Sequence, residues 1–342
     1  MFKNIIPLMN ASGCLCTTYD ELDNLNNCEY INCFISKSAT LKPKIGNEKP
    51  RLYWEDNLSI NSMGLANNGL DYYNKYDLSI KDNDNEFDDK IYMQSIAPKS
   101  IEELHEMLES LVCWCKRSQE ELIHFHNKKS ESLVCANEHS HGDTNIGGDK
   151  KYVEINLSCP NIDGKMISRN FQLLREYIES LENIDHIDDL ILGLKLPSYV
   201  ESWEFDEVAD IIRNSNIKFI TCINSKRGLV IRDNKNVIKP NNGFGGIGGS
   251  SILPESLYNV RNFYMRLKDD NIEIIGCGGV TSGLDAYQHI LCGASMVQIG
   301  TAYLNEGIGV FERIYNELLE VMGLNKYTNI EEFRGTLGHV SD

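Results

Sequence analysis

Eight short apolar, β-branched runs recur along the chain, at residues 6 to 12, 30 to 36, 91 to 97, 152 to 158, 190 to 196, 219 to 225, 272 to 277 and 296 to 300. Several, such as LILGLKL and IEIIGCGG, are almost continuously apolar, the pattern of parallel strands covered on both faces. Most are separated by segments of helical spacing, among them IEELHEMLESLVCW, NFQLLREYIESL, EFDEVADIIRN, PESLYNVRNFYMRL, LDAYQHILC and GVFERIYNELLEVM. Such alternation builds βαβ units. Eight of them predict a closed (β/α)8 TIM barrel, since an open doubly wound sheet usually has about five to seven strands.

A barrel of this kind accounts for residues 1 to 342 as a single domain, with two interruptions. An extended loop follows the second strand, over residues 37 to 90, and contains NSMGL and the acidic stretch KDNDNEFDDK. A polar insertion rich in His, Asn and Gly, at about residues 116 to 150, precedes the fourth strand and reads as surface.

The formal net charge of −17 argues against nucleic acid, because polyanion binding draws on clustered Lys and Arg. A small-molecule substrate is expected instead. No basic segment followed by an apolar one opens the sequence, and no apolar run is long enough to span a bilayer, so a cytoplasmic protein is expected. The eleven cysteines form no compact framework and read as mostly reduced thiols. Cys113, Cys115, His124, His126, Cys135, His139 and His141 cluster in and beside the insertion, but residues two apart on a helix face apart, and no metal site is expected there.

Reactive side chains in barrels sit where strands end. The predicted strand ends collect Asn10 to Gly13, Lys37, Ser38, Asn156 to Cys159, Lys195, Asn224, Ser225, Gly278, Gly279, Gly300 and Thr301, all polar or small. The last two ends, GCGGVTSG and QIGTA, suit a phosphate-bearing ligand, because glycines admit close backbone approach. GFGGIG at 243 to 248 matches a dinucleotide fingerprint formally but follows no clear strand, and reads as a glycine loop approaching the same ligand. Lys37 and Lys195 lie inside apolar runs, where a lysine is costly without an anion. An internal ion pair would satisfy them. So would a flavin gaining charge, a substrate carboxylate, or the Schiff base of a pyridoxal phosphate enzyme. Cys159, in NLSCPN before Pro160, sits on a loop and could be nucleophile or general base.

The motifs MNASG (9 to 13), SKSATL (36 to 41), NSMGL (61 to 65), NLSCPN (156 to 161), GLKLP (193 to 197), INS (223 to 225), GFGGIGG (243 to 249), GCGG (276 to 279) and QIGTA (298 to 302) run in order along the chain. In this series the chain resembles class 1A, fumarate-using dihydroorotate dehydrogenases over nearly its whole length outside the two interruptions. The resemblance implies FMN across the barrel mouth, touched by Ala11, Ser12, Gly13, Lys37, Ser38, Asn156, Lys195, Ile223, Gly249, Gly278, Gly279, Gly300 and Thr301. It implies dihydroorotate held by Lys37, Asn61, Ser62, Met63, Gly64, Leu65, Asn156, Asn161, Asn224 and Ser225. Cys159 would then take a proton from C5 while hydride passes from C6 to flavin N5, giving orotate, a step of de novo pyrimidine (UMP) biosynthesis. Fumarate would reoxidise the cofactor to yield succinate, and a homodimer is implied.

Class 1B relatives also use cysteine but pass electrons to NAD through a second subunit, while class 2 relatives use serine and a membrane segment. NSMGL together with GFGGIGG resembles class 1A more closely. Three features depart from the family: Ala39 where a second Ser is common, IDGKMI without a proline after Lys165, and the length of residues 116 to 150. A flavin-dependent tRNA dihydrouridine synthase would need a basic face, and a catalytically silent flavin protein would not need NLSCPN.

Overall fold

The computed structural model describes residues 5–81, 90–132, 150–158 and 166–339, with only the backbone described at residue 81 and over 117–132. Eight parallel strands form one sheet: β1 (Leu8–Asn10), β2 (Cys33–Ile35), β3 (Ile91–Ile96), β4 (Lys151–Asn156), β5 (Leu190–Leu196), β6 (Ile217–Cys222), β7 (Glu273–Cys277) and β8 (Met296–Ile299). All eight predicted runs are present. The hydrogen-bonded order is β1-β8-β7-β6-β5-β4-β3-β2, so the first two strands are the free ends of the ladder. The Asn10 side chain joins them, bonding both backbone groups of Ile35 and closing the barrel.

The alternation of side chains along each strand divides the core in two. In β5, Leu192, Leu194 and Leu196 face outward into the large cluster shared with the helices, while Ile191 packs toward the barrel interior. The interior floor is Met9, Cys33, Ile35, Met93, Phe219, Ile275 and Met296. Gly193 sits beside the Phe219 ring, which would collide with any Cβ there. A large residue on one strand is thus matched by none on its neighbour, the layer packing that fills a small barrel.

The helices α1 (Tyr19–Asn26), α2 (Leu70–Lys81), α3 (Ile101–Ser132), α4 (Phe171–Glu179), α5 (Ser202–Arg213), α6 (Leu253–Leu267), α7 (Gly283–Cys292), α8 (Thr301–Glu306) and α9 (Gly309–Leu324) follow the strands. Three elements differ from expectation. α3 continues to Ser132, through the first half of the predicted polar insertion, because residues 116 to 132 contain neither Gly nor Pro and are rich in Glu and Lys. Within it Cys113 is exposed and Cys115 buried, as a spacing of two on a helix requires. The extended loop after β2 holds a hairpin, Leu52–Glu55 with Leu58–Asn61, and then α2, whose Tyr73 and Tyr76 are buried against the barrel.

GFGGIGG is the third difference, since residues Phe244–Gly249 are a strand and not a loop. They pair antiparallel with Leu58–Asn61 on one side and Lys226–Leu229 on the other, in a four-stranded sheet with the hairpin. The glycines serve close packing between these strands: a Cβ on Gly246 would strike the Ser225 hydroxyl, and one on Gly245 would stand 2.5 Å from the Asn61 carbonyl. This sheet brings NSMGL, which follows β2, beside Asn224 and Ser225, which follow β6.

Candidate active site

The C-terminal strand ends carry a connected chain of polar side chains. Ser12 donates to the Ser36 carbonyl (2.8 Å) and lies 3.1 Å from the Ser38 hydroxyl, which is itself 2.9 Å from that of Ser95. Asn156 donates to Ser38 (3.2 Å), Asn224 donates to Asn156 Oδ1 (3.4 Å), and the Ser225 backbone donates to Asn224 Oδ1 (2.7 Å). Residues predicted from four separate strand ends, after β1, β2, β4 and β6, are thereby brought into one network, which also takes in Ser95 of β3. Asn61 joins its edge, donating to the Gly246 carbonyl (3.3 Å) next to Ser225.

The backbone of the NSMGL turn is held from outside the barrel. Asn47 bonds the carbonyls of both Ser62, through its side chain (2.9 Å), and Met63, through its N–H (3.0 Å). Gly64 and Leu65 both have left-handed φ, and Asn67 donates to the Leu65 carbonyl (2.7 Å). Asn241 reaches the Ser62 hydroxyl (3.0 Å).

Between β6 and β1 in the strand order, β7 and β8 are neighbours, so Gly278 and Gly279 lie on a loop adjacent to that of Gly300 and Thr301. Both Gly278 and Gly279 have positive φ, which a side chain would oppose, and Gly279 is pressed against Leu253 at the start of α6. The Thr301 hydroxyl lies 2.8 Å from that of Ser59, tying this corner to the antiparallel sheet. Ala11 N donates to Ile299 O and Ile223 N to Cys277 O, while Gly249 packs on the Asn57 carbonyl.

The two lysines differ sharply in surroundings. Lys37 is only 7% exposed, yet among the described residues no hydrogen bond or ion pair reaches its Nζ. The ammonium lies 3.1 Å from where a Gly13 Cβ would stand, so Gly13, with φ +98, leaves it room. Lys195 is fully engaged, donating to Gln298 Oε1 and contacting Cys277 Sγ at 3.4 Å. Gln298 Nε2 donates to the buried carboxylate of Glu154 (3.2 Å), as does Thr221 Oγ1 (2.7 Å). Burial alone would pull the Lys195 pKa down, but Cys277 and Glu154 oppose it and the net displacement is upward. Burial also pushes the mouth thiols up, Cys14 to about 11 and Cys16 to about 12, against the pull of Lys37. These two are therefore neutral thiols at ordinary pH.

Cys159 and Asn161 lie outside the described residues. Sequence reasoning missed Glu154, Thr221 and Gln298, although the first and last carry the signal that singled out the lysines: a polar residue inside an otherwise apolar strand run.

The donor set fits a flavin phosphate. It comprises one lysine without a partner among the described residues and one anchored lysine, the positive-φ Gly278 and Gly279 on the loop next to that of Thr301, and a run of Asn and Ser groups able to meet ring amides and a carboxylate. Residues 1–322 match the family model described as dihydroorotate dehydrogenase. A Streptococcus agalactiae protein assigned as dihydroorotate dehydrogenase A (fumarate) is 42% identical over 335 residues, covering 97% of this chain and 95% of its own. The dihydroorotate dehydrogenase (fumarate) of Saccharomyces cerevisiae is 40% identical over 338 residues, covering 98% and 95%. Among solved structures, an Eimeria tenella dihydroorotate dehydrogenase in complex with ferulenol superposes with a TM-score of 0.68 over 96% of this chain and 85% of its own, at 19% identity, a likeness of fold. With a family model spanning all but its last residues and relatives matched nearly end to end, this chain belongs to the dihydroorotate dehydrogenase family.

Proposed function

We propose that the chain oxidises (S)-dihydroorotate to orotate on a bound FMN and passes the electrons to fumarate. The observation that carries this reading is the Lys37 ammonium, buried at the mouth with no partner among the described residues, beside a network of Asn and Ser groups. A buried cation of that kind is costly unless an anionic group meets it. FMN, when bound, would accept the hydride, and the substrate carboxylate would be the anion that meets Lys37.

This chain's own residues do the rest. Lys37 offers its charge to the flavin and the substrate carboxylate. Lys195, fixed by Gln298, stands ready to stabilise negative charge arriving on the ring. Gly278, Gly279, Gly300 and Thr301 take the phosphate, with Ala11, Ser12, Gly13, Ser38, Ile223 and Gly249 completing the cofactor cradle. Asn61, Asn156, Asn161, Asn224 and Ser225 orient the dihydroorotate ring, while the Ser62 to Leu65 backbone closes over it. Cys159 takes the C5 proton.

Among the described residues no helix is long and apolar enough to cross a membrane. The class 1A resemblance implies a cytoplasmic homodimer with fumarate, a small dicarboxylate, as the oxidant.

Steady-state assay of the purified protein with fumarate, NAD and a quinone tests this reading. Turnover with fumarate alone, and anaerobic bleaching of the flavin by dihydroorotate, are expected. Turnover only with NAD and a second subunit would make the enzyme class 1B. A bound chromophore with pyridoxal and not flavin absorption would end the reading altogether.

A further inference from the structure

The barrel interior below the mouth holds a carboxylate with no part in the scheme above. Glu154 is fully buried on β4, one residue pair below Asn156, with Thr221 and Gln298 donating to its Oε2. Its Oε1 has no hydrogen-bond partner among the described residues. An unsatisfied carboxylate oxygen in a barrel core is expensive, and an apolar residue would fill the space at less cost.

The chemistry of the intervening amide explains the arrangement. A carboxylate only accepts hydrogen bonds and an ammonium only donates them. Gln298 lies between the two, so it must turn Nε2 to Glu154 and Oε1 to Lys195. Glu154 therefore selects the one amide orientation that offers Lys195 an acceptor.

We propose that Glu154 is a positioning residue for the flavin reaction, holding Lys195, by way of Gln298, as a charged and oriented donor at the floor of the flavin site. The inference rests on reading that site as a flavin site.

The other groups acting on Lys195 do not replace it. They are Cys277 on β7, Cys222 on β6 and Cys14 after β1, with Lys37 also acting on Cys14. Burial pushes all three thiols up, so none supplies a negative charge at neutral pH. Lys37 supplies a like charge, leaving Glu154 as the carboxylate that compensates Lys195.

The test is Glu154→Gln, which keeps an acceptor for Thr221 and Gln298 and removes only the charge. The visible spectrum of the oxidised, flavin-loaded protein and the rate of flavin reduction by dihydroorotate are followed over about pH 6 to 10, the range in which a weakened lysine titrates. Glu154→Gln should show a spectral transition that the native protein lacks. Its reduction rate should fall roughly tenfold per pH unit above that transition, with KM little changed. Adding Lys195→Arg should abolish the transition, because a guanidinium stays charged. Glu154→Asp, which retains the charge, should restore the native profile. If Glu154→Gln does not accumulate folded, Gln298→Leu cuts the relay and should produce the same transition. Identical pH behaviour in native and variant, or a transition that survives Lys195→Arg, overturns the proposal. Failure of dihydroorotate to bleach the native flavin overturns the site reading instead.

Discussion

The Asn10 side chain acts as a peptide group toward Ile35: its Oδ1 accepts from Ile35 N at 2.8 Å and its Nδ2 donates to Ile35 O at 2.9 Å. β1 and β2 are the two ends of the strand order, so this amide bridges the seam of the barrel one residue before the first predicted cofactor contact, Ala11.

Asn10→Leu should therefore destabilise the fold by about 2 to 5 kcal/mol, since it leaves a donor and an acceptor unpaired in a buried place. Urea unfolding measures this. A variant as stable as the native protein would mean the seam is held elsewhere.

The strands were legible because parallel barrel strands bury both faces and so read as unbroken apolar runs, as in LILGLKL. The site was legible for a related reason: Lys37, Asn156 and Lys195 stand out against such runs. Glu154 and Gln298 stood out equally, but their meaning depends on lying across the barrel from one another, on strands 144 residues apart in sequence. No local pattern carries that. Gly245 and Gly246 misled for the same reason, because their purpose is to let strands from distant segments approach, and a glycine run in isolation reads as a loop.

His289 offers a pH test. Its ring lies against Gly276, and its Nε2 is 3.2 Å from the Gly278 carbonyl, which can only accept, so the neutral ring carries its proton there. Burial holds its pKa down at about 4, outweighing the Gly278 carbonyl and Asp285. The unfolded chain binds the imidazole proton near the ordinary value of 6.5, whereas the native state resists until about 4. Stability present above pH 6.5 is thus lost as pH falls through that window, on the order of 3 kcal/mol from this group. His289→Gln keeps a donor for Gly278 and should flatten the acid limb of a plot of unfolding free energy against pH. An unchanged limb would place the acid sensitivity in the carboxylates.

Cys159→Ala should keep FMN bound, because the cofactor contacts are assigned to other residues, while slowing flavin reduction by about 10² to 10⁴ as for the loss of a general base. Cys159→Ser should recover some activity at high pH, a hydroxyl being a far weaker base than a thiolate. Stopped-flow reduction by dihydroorotate reads both. Near-native reduction by the alanine variant would move the base elsewhere, and Cys14 and Cys16 are poor substitutes, with thiols pushed up to about 11 and about 12.

The contrast between the two lysines gives the final test, on flavin-free protein. Lys195 is coupled through Gln298 to Glu154, so Lys195→Met removes one member of a buried pair and leaves a carboxylate uncompensated in the barrel core. A loss of about 3 to 5 kcal/mol is expected from such a change. Lys37 has no partner among the described residues, and its charge is a burden on the protein alone. Lys37→Met should leave the flavin-free protein as stable as the native one or more so, while flavin affinity and dihydroorotate reduction both fall. Urea unfolding with and without FMN separates the two effects, because a ligand that binds only the native state adds stability in proportion to its affinity. The native protein should gain more from FMN than Lys37→Met does. Equal destabilisation by the two substitutions without flavin would show that Lys37 is held by the protein itself, and its role in meeting the cofactor and the substrate carboxylate would fall.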